Sequence, residues 1–270
     1  MIQAKRSTQY IQFRGDETEA IDVDVIVEQP VSLTVNGEVW LAFMCTPIDL
    51  EAMAVGFLFN EGLIQTKEEI VSVRACPSGE NVDVWLDHSL EKPESWRRTS
   101  GCTGGVTSVD DKASSTYLTE SFYSNGTKMT PNQIGNLISL LFEAQDLYRH
   151  SGGVHTSALS DGREIIIATE DIGRHNTLDK IAGRCLLEGI GLERRILLTT
   201  GRISSEMMQK SARLGASVVV SRTSPSSLSI EMAEKWGITL IGYAHRNRFN
   251  VYAHSERIAL PIANVNSAGL

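Results

Sequence analysis

Strands alternate with helices over short connections in the second half of the chain, and this alternation constrains the fold more than any other feature. Short apolar runs bounded by turn residues read as buried strands. These runs are EIIIAT, RRILLTT, ASVVVS and ITLIGY. Segments with helical spacing lie between them, namely NTLDKIAGRCLLEG, SSEMMQKSARLG and PSSLSIEMAEKWG. The crossovers predict an α/β fold with a largely parallel sheet.

The first part of the chain is predicted to be rich in β-structure. Residues 21–28 (IDVDVIVE) alternate apolar and polar side chains, and residues 32–44 carry an Asn36-Gly37 turn between two strand-like runs. Two further strands are predicted in EEIVSVRA and ENVDVWL. The segment TPIDLEAMAVGFLFNEG predicts a mostly buried helix, with Thr46 as its N-cap and Gly62 after its end.

A long irregular segment separates the two parts. Residues 89–128 show little periodicity and contain many serine, threonine and glycine residues, and segments of this kind are usually functional or mobile. A capping pattern at Thr130 then begins a helix. We therefore expect a β-rich α+β portion over residues 1–126 and an α/β domain over residues 127–270.

Charge and hydropathy exclude several classes of protein. The net charge of -8 argues against a protein that binds nucleic acid or an anionic membrane with its whole surface. No apolar run approaches the length of a membrane span, and the N-terminus lacks the apolar core of a signal peptide. We expect a cytoplasmic protein without nucleic-acid or membrane partners.

Polar segments follow the four predicted strands, at the end of a parallel sheet where ligands usually bind. The segments are EDIGRHN, GRISSE, SRTSPSS and AHRNR. Their arginines and the nearby helix N-termini favour an anionic, phosphate-bearing ligand. In any single segment a plain turn is the favoured interpretation of the glycines and serines, whereas four such segments in succession favour a pocket. The candidate pocket residues are Arg174, His175, Asn176, Arg202, Ser204 and Ser224.

Two histidines need separate consideration. His155 invites a zinc-deaminase interpretation, but that motif is H-x-E with a later P-C-x-x-C. Here Ser157 stands at the third position and no P-C-x-x-C follows, so we expect no metal to be held by the protein. His175 lies in a charged run, where a salt-bridged network and a ligand-facing role are both open.

The chain has four cysteines, and none belongs to a C-x-x-C motif. Cys45 and Cys185 lie in apolar runs and are predicted to be core residues, while Cys76 fits a strand end or turn. Cys102 stands among glycine, serine and threonine in RRTSGCTGGVTS, four residues after Arg98. An open thiol near cations suits disulfide exchange, acyl transfer or sulfur carriage as a persulfide, and an incidental surface cysteine is the alternative.

Several long motifs together resemble the FdhD family of formate dehydrogenase accessory sulfurtransferases. The motifs run from about residue 32 to residue 258. They are TPIDLEAMAVGFLFNEGLI, TSGCTGG, SGGVHTSAL, EDIGRHNTLDKIAG, TTGRISSEMMQKSARLGA, SRTSPSSLSIEMA and GITLIGYAHRNRFNVYAHSERI.

The resemblance implies a fold, a reaction and a site. The fold would be a three-layer domain like that of cytidine deaminases, without the zinc site. Cys102 would take persulfide sulfur from a cysteine desulfurase and pass it to the molybdenum cofactor, bis(molybdopterin guanine dinucleotide), of formate dehydrogenase. The cofactor-binding segment would comprise Tyr243, Ala244, His245, Arg246, Asn247 and Arg248. A homodimer is expected, because a cofactor of this size fits between two subunits.

One departure from the family pattern limits the chemistry. Many members have C-x-x-C in this segment, whereas Gly105 stands three residues after Cys102 here. A disulfide within the segment is therefore excluded, but one thiolate is sufficient to carry a persulfide. Two alternatives stay open. One is a non-catalytic chaperone that binds the guanine-nucleotide cofactor, and the other is a hydrolase or deaminase relic that uses His155 or His175.

Overall fold

The structure, a computed structural model, describes residues 3–93, 96–98, 106–108, 128–192 and 195–259. Its helices are α1 Leu50–Asn60, α2 Pro131–Glu143, α3 Leu147–Ser151, α4 Arg174–Glu188, α5 Ser205–Arg213 and α6 Ser227–Trp236. The first eight strands are β1 Lys5–Arg14, β2 Glu17–Ile26, β3 Gln29–Val35, β4 Glu38–Cys45, β5 Ile70–Ala75, β6 Asn81–Leu86, β7 Trp96–Arg98 and β8 Val106–Ser108. The remaining strands are β9 His155–Ser160, β10 Ile165–Asp171, β11 Arg195–Thr199, β12 Ala216–Ser221, β13 Thr239–His245 and β14 Arg248–Ala253.

A six-stranded mixed sheet forms the centre of the second half, in the order β10-β9-β11-β12-β13-β14. Strands β11, β12 and β13 are parallel neighbours. Strand β9 pairs antiparallel with both β10 and β11, so β10 points in the same direction as β11. The four strands predicted from the sequence thus share one direction, and the predicted α/β class is confirmed. The sequence did not predict β9 and β14, the two strands that run in the opposite direction.

Helices cover both faces of this sheet, because its strands are apolar on both sides. Ala158, Leu198 and Val220 face α2, where they pack with Ile134 and Leu137. The neighbouring positions in the strands face the opposite layer of α4, α5 and α6. These residues are Leu159, Leu197, Val219 and Leu240, which join a core with Leu178, Ile181, Met207 and Ala233. The result is the expected three-layer arrangement.

The first half contains a four-stranded sheet, in the order β4-β3-β6-β5. The predicted hairpin turn between β3 and β4 is confirmed, with positive φ angles of 49° at Asn36 and 84° at Gly37. Alternate residues of β3, namely Val31, Leu33 and Val35, are buried. Strands β1 and β2 form a separate antiparallel ribbon that extends over ten residues of each strand.

Helix α1 packs against α4 and joins the two halves of the molecule. Ten of its eleven residues are buried, because it lies between α4 and the four-stranded sheet. The crossing with α4 is close, since a Cβ atom at Gly56 would lie 1.8 Å from the carbonyl oxygen of Asp179. The apolar core therefore continues from α1 into α4. The proposed division at residues 126 and 127 stays a prediction.

The start of α1 differs from the prediction. The helix begins at Leu50, and its N-cap is Asp49, which has a positive φ of 51°. Thr46 is fully buried and its hydroxyl accepts a hydrogen bond from the backbone N–H of Ile172, 3.2 Å away. The hydroxyl is therefore used in a contact with the loop after β10 instead of capping the helix. The capping box predicted at Thr130 and Gln133 is confirmed.

None of the helices within the described ranges is long and apolar enough to cross a membrane.

Candidate functional site

Four strand ends and three helix starts meet at one side of the six-stranded sheet, which we call the carboxyl edge. Strands β10, β11, β12 and β13 end there, at Asp171, Thr199, Ser221 and His245 respectively. The first residue of β9, His155, is paired with Asp171 and lies at the same edge. Helices α4, α5 and α6 begin just after β10, β11 and β12, so their N-termini lie there too. The predicted strand-end segments are thus brought together.

His155 is held by Thr200 at the beginning of β9. Its Nδ1 atom lies 3.3 Å from the hydroxyl oxygen of Thr200, which also accepts the backbone N–H of Thr156. The hydroxyl proton is therefore available to donate to Nδ1. Burial lowers the pKa of His155, and the charges of Arg174 and Arg202 lower it further. A neutral ring results, and its Nε2 atom has no hydrogen-bond partner in the part of the chain that is described.

His175 connects the N-termini of α4 and α5. Its side chain is buried, and Nε2 lies 3.5 Å from the hydroxyl of Ser204 and 4.0 Å from a carboxylate oxygen of Glu206. Ser204 is the N-cap of α5, and its hydroxyl donates to Glu206 over 2.6 Å. Burial holds the pKa of His175 well below its ordinary value, and the nearby cations Lys210 and Arg174 lower it further.

Two arginines lie at this end of the edge. Arg174, the first residue of α4, is mostly buried, and its aliphatic carbons pass over Gly201. A Cβ atom at Gly201 would lie 2.8 Å from the Cβ of Arg174, so a side chain at residue 201 would displace the arginine. Arg202, the next residue along, is exposed. Both cations are close enough to His155 to influence its protonation.

Asn176 holds the end of β10 to the end of β4. Its amide nitrogen donates to the carbonyl of Met44 over 2.9 Å and to Asp171 over 2.8 Å. Asp171 also accepts Lys180 over 2.6 Å, and both of these side chains are completely buried. Lys180 donates in addition to the carbonyl of Thr46. These hydrogen bonds hold the ends of β4 and β10 and the start of α4 together. They use the amide group of Asn176, which is therefore not free to bind a ligand.

A second group of polar residues lies where β12 and β13 end. The guanidinium of Arg222 donates from Nη1 to the carbonyl of Ala244 over 3.1 Å and lies 2.8 Å from Nδ1 of His245. It also stacks over the ring of Phe142, with 4.7 Å between the guanidinium carbon and the ring centroid. His245 is exposed, and the charge of Arg222 lowers its pKa, with a smaller effect from Arg248.

Tyr243 has an unusual backbone conformation beside this group. Its φ angle is 50°, a region that bulky residues rarely adopt, at a cost of about 1–3 kcal/mol. The backbone N–H donates to the carbonyl of Thr223 over 3.0 Å, and the pairing with β14 shifts register between Gly242 and His245. The irregularity leaves the side chain of Tyr243 exposed and buries Ala244. Strain of this kind is common at ligand sites.

The segment AHRNR is a tight hairpin connection and not a loop of its full length. Strand β13 continues to His245 and β14 begins at Arg248, so only Arg246 and Asn247 form the turn. The turn lies against α2, because a Cβ atom at Gly135 would fall 2.1 Å from the carbonyl oxygen of Arg246. The side chains of Arg246, Asn247 and Arg248 are all exposed to solvent.

The two groups lie at the same edge of the sheet, at separate strand ends. The strands that carry His155 and His245 are three positions apart in the sheet, which corresponds to roughly 14 Å at about 4.8 Å per strand. That length suits an extended nucleotide. Ser224 lies between the groups, and its carbonyl accepts the backbone N–H of Ile203 over 3.2 Å. The ligand roles of all these residues remain predictions.

The cysteines of the described ranges differ in burial and in the pKa of their thiols. Burial raises the pKa of Cys45 to about 12 and that of Cys185 to about 11, so both thiols stay protonated. A hydrogen bond with Ser78 lowers the pKa of Cys76. Cys102 lies outside the described residues, in the segment 99–105 between the paired strands β7 and β8. Its proposed role is not tested by the structure.

Within the described ranges, no three histidine, cysteine, aspartate or glutamate side chains are grouped so that they could hold a metal ion. The expectation that the protein holds no metal stays a prediction.

Sequence reasoning missed three residues that shape the site, namely Thr200, Glu206 and Phe142. Thr200 and Glu206 stand inside motifs that were noted only for their glycine, arginine and serine residues. Phe142 gives a clearer signal, because it is a large apolar residue beside Leu141 but off the buried stripe of α2, and it is 38% exposed. An apolar residue outside the stripe of an amphipathic helix indicates a contact beyond the core.

Comparisons with known proteins agree with one another. A model of the FdhD/NarQ family matches residues 26–259. The chain is 35% identical to a Bacillus licheniformis protein named sulfur carrier protein FdhD, over 91% of this chain and 95% of that protein. A Bacillus pumilus protein of the same name is 37% identical over 92% of this chain and 95% of its own length.

A solved structure is also similar. It is a crystal structure from Desulfotalea psychrophila of a protein assigned as a formate dehydrogenase accessory protein. The TM-score is 0.74 at 28% sequence identity, and the match covers 95% of this chain and all of the other.

Proposed function

Because the chain belongs to the FdhD/NarQ family, we propose that it is a sulfur carrier that supports the maturation of formate dehydrogenase. In this proposal it takes persulfide sulfur from a cysteine desulfurase and passes it to the molybdenum cofactor, bis(molybdopterin guanine dinucleotide). The cofactor is cargo that the protein binds and releases. The proposed location is the cytoplasm.

The concentration of arginine side chains at the carboxyl edge is the observation that supports this function best. Arg174, Arg202, Arg222, Arg246 and Arg248 all lie there, on a protein whose net charge is -8. Guanidinium groups match the geometry of phosphate oxygens, and helix N-termini add further positive potential. A cofactor that carries pyrophosphate groups therefore fits this edge better than a neutral ligand does.

Cys102 is the proposed sulfur carrier, and its step is a simple exchange. The thiolate of Cys102 attacks the terminal sulfur of the donor persulfide, and a new S–S bond forms as the donor S–S bond breaks. The donor cysteine leaves as a thiolate, and Cys102 holds the terminal sulfur as its own persulfide. The high pKa values of the buried Cys45 and Cys185 make these thiols poor substitutes.

Intact-protein mass spectrometry after incubation with a cysteine desulfurase and cysteine tests the proposal. We expect the wild-type protein to gain the mass of one sulfur atom, and to lose it when a reductant is added. The Cys102→Ser protein should gain nothing. Cys76→Ser is the matched control, because Cys76 is the accessible thiol of the described ranges, and this protein should still be loaded. Equal loading of the Cys102→Ser protein would contradict the proposal.

A non-catalytic cofactor chaperone is the second candidate, and the arginines of the β13–β14 turn favour it independently of Cys102. In that case, formate dehydrogenase maturation in cells would depend on Arg246 and Arg248 but not on Cys102. Maturation that survives Cys102→Ala and is lost in an Arg246→Gln, Arg248→Gln double variant would favour the chaperone.

Both candidate functions are compatible with the predicted homodimer. Sedimentation of the purified protein tests whether the homodimer forms.

A further inference from the structure

We infer that Arg222 is a positioning residue that holds His245 as a neutral ring whose Nε2–H points away from the protein as a hydrogen-bond donor. This protonation state and tautomer of His245 are properties of the protein without ligand. The use of that donor by a guanine nucleotide rests on the proposed function.

The contact between Arg222 and His245 determines which ring nitrogen carries the proton. Nη1 of Arg222 lies 2.8 Å from Nδ1 of His245. A guanidinium group is always charged and has no acceptor, so it must be the donor in this bond. Nδ1 must therefore be unprotonated, and in a neutral imidazole the proton then resides on Nε2.

Arg222 is itself held in place from three directions. The same Nη1 atom donates to the carbonyl of Ala244 over 3.1 Å. The guanidinium stacks on Phe142, and the backbone N–H of Arg222 donates to the carbonyl of Thr199 over 3.0 Å. A guanidinium fixed in this way loses little freedom when it contacts His245. Ala244 lies in the stretch of β13 where the pairing with β14 shifts register, directly after Tyr243 with its positive φ.

The charges around His245 oppose its protonation. Arg222 from the end of β12 and Arg248 from the start of β14 are the cations that act on it, and both lower its pKa. In the described ranges no carboxylate forms an ion pair with His245. Protonation of Nδ1 would also break the bond with Arg222 and place two cations in contact. The neutral form is therefore expected throughout the neutral pH range.

A neutral Nε2–H donor has a definite use at an anion site. His245 is exposed, and in the described part of the chain its Nε2 atom makes no hydrogen bond within the protein. It can donate to a phosphate oxygen of a guanine nucleotide while Arg246 and Arg248 supply charge. Because the neighbouring cations lower the pKa of His245, this part of the recognition should depend less on pH than it would with a free histidine.

Nuclear magnetic resonance of the ligand-free protein with ¹⁵N-labelled histidine tests the inference directly. The ring nitrogens of His245, assigned with a His245→Gln variant, should show the Nε2–H tautomer, and the ring should titrate at a lower pH than an ordinary histidine. In the Arg222→Gln protein the ring should titrate near its ordinary pKa of about 6.5. The matched control is Arg248→Gln, which removes the second cation and should leave the tautomer unchanged. An Nδ1–H tautomer in the wild-type protein, or unchanged titration in the Arg222→Gln protein, would overturn the inference.

Binding of GDP between pH 8 and pH 6 tests the ligand role separately. The phosphate groups of GDP titrate themselves, so the informative quantity is the ratio of the variant affinity to the wild-type affinity at each pH. For Arg222→Gln we expect this ratio to rise severalfold as the pH falls, up to about tenfold per pH unit, because His245 gains a charge. A flat ratio would overturn the ligand role. Failure of the wild-type protein to bind GDP would count against the proposed function, whereas the tautomer result would stand.

Discussion

Gly56 of α1 and Gly183 of α4 each lie against the backbone of the other helix. A Cβ atom at Gly56 would be 1.8 Å from the carbonyl oxygen of Asp179, and one at Gly183 would be 1.8 Å from that of Ala52. Neither helix can retreat without opening the core that the two share. Only glycine permits so close a crossing.

Replacement of Gly56 by alanine should therefore be strongly destabilising. Alanine favours a helix over glycine by about 1 kcal/mol, but overpacking against a rigid backbone costs more. We expect a net loss of about 2 kcal/mol in the free energy of unfolding, measured by urea denaturation. Gly191→Ala is the control, because no atom of the described residues other than its chain neighbours lies within 4 Å of its Cβ position, and it should be nearly neutral. Equal stability of the two variants would show that the crossing adjusts freely.

Thr46→Val should weaken the contact between the two halves. The hydroxyl of Thr46 accepts the backbone N–H of Ile172, and valine keeps the shape but leaves that donor without its partner. We expect a loss of about 2 kcal/mol in the free energy of unfolding. Thr46→Ser keeps the hydroxyl and should lose less than half as much. The prediction is wrong if the serine variant is the less stable of the two.

His175 should make the protein less stable in mild acid. Its folded-state pKa lies well below 6.5, so between the two pKa values the unfolded chain binds a proton that the folded chain does not. The contribution of His175 to the free energy of unfolding is fully present above about pH 6.5. Below that pH it declines by up to about 1.4 kcal/mol per pH unit. Denaturation at pH 7.5 and pH 5.5 should show a smaller decline for His175→Gln than for the wild type. Parallel declines would contradict the assignment.

Alkylation should separate the thiols in native protein that carries Cys102→Ser. At pH 8, iodoacetamide should modify Cys76, whose pKa is lowered by its contact with Ser78. Cys45 should react at least about a hundredfold more slowly, because burial raises its pKa to about 12 and only the thiolate is nucleophilic. Peptide mass mapping before and after unfolding measures this difference. Rapid native labelling of Cys45 would show that its burial is transient.

The sequence predicts those elements best whose side chains are buried on a regular spacing. The four strands of one direction are short β-branched runs, and both of their faces are covered, so composition alone reveals them. Strand β1, Lys5–Arg14, gives no such signal, because most of its residues are exposed. Strand β14 was hidden for another reason. It follows β13 after a two-residue turn, and its first residue, Arg248, also belongs to the polar segment AHRNR.

The site is predicted less completely than the fold. Strand ends and helix starts are local features, and the sequence locates the segments that form the carboxyl edge. The contacts between segments depend on sheet register, which local sequence does not specify. Arg222 reaches His245 only because β12 and β13 are neighbours. The packing of Arg174 over Gly201 likewise joins segments from two different strands.

The buried pair of Asp171 and Lys180 has a consequence for how the family can evolve. Each side chain is completely enclosed, so the loss of either one leaves an uncompensated charge at a cost of about 3–5 kcal/mol. Replacement of both by apolar residues of similar volume is often neutral or even stabilising. The two positions are therefore expected to change together or not at all across relatives. In related sequences, substitutions at these two positions should occur in pairs, and few sequences should retain only one of the two charges.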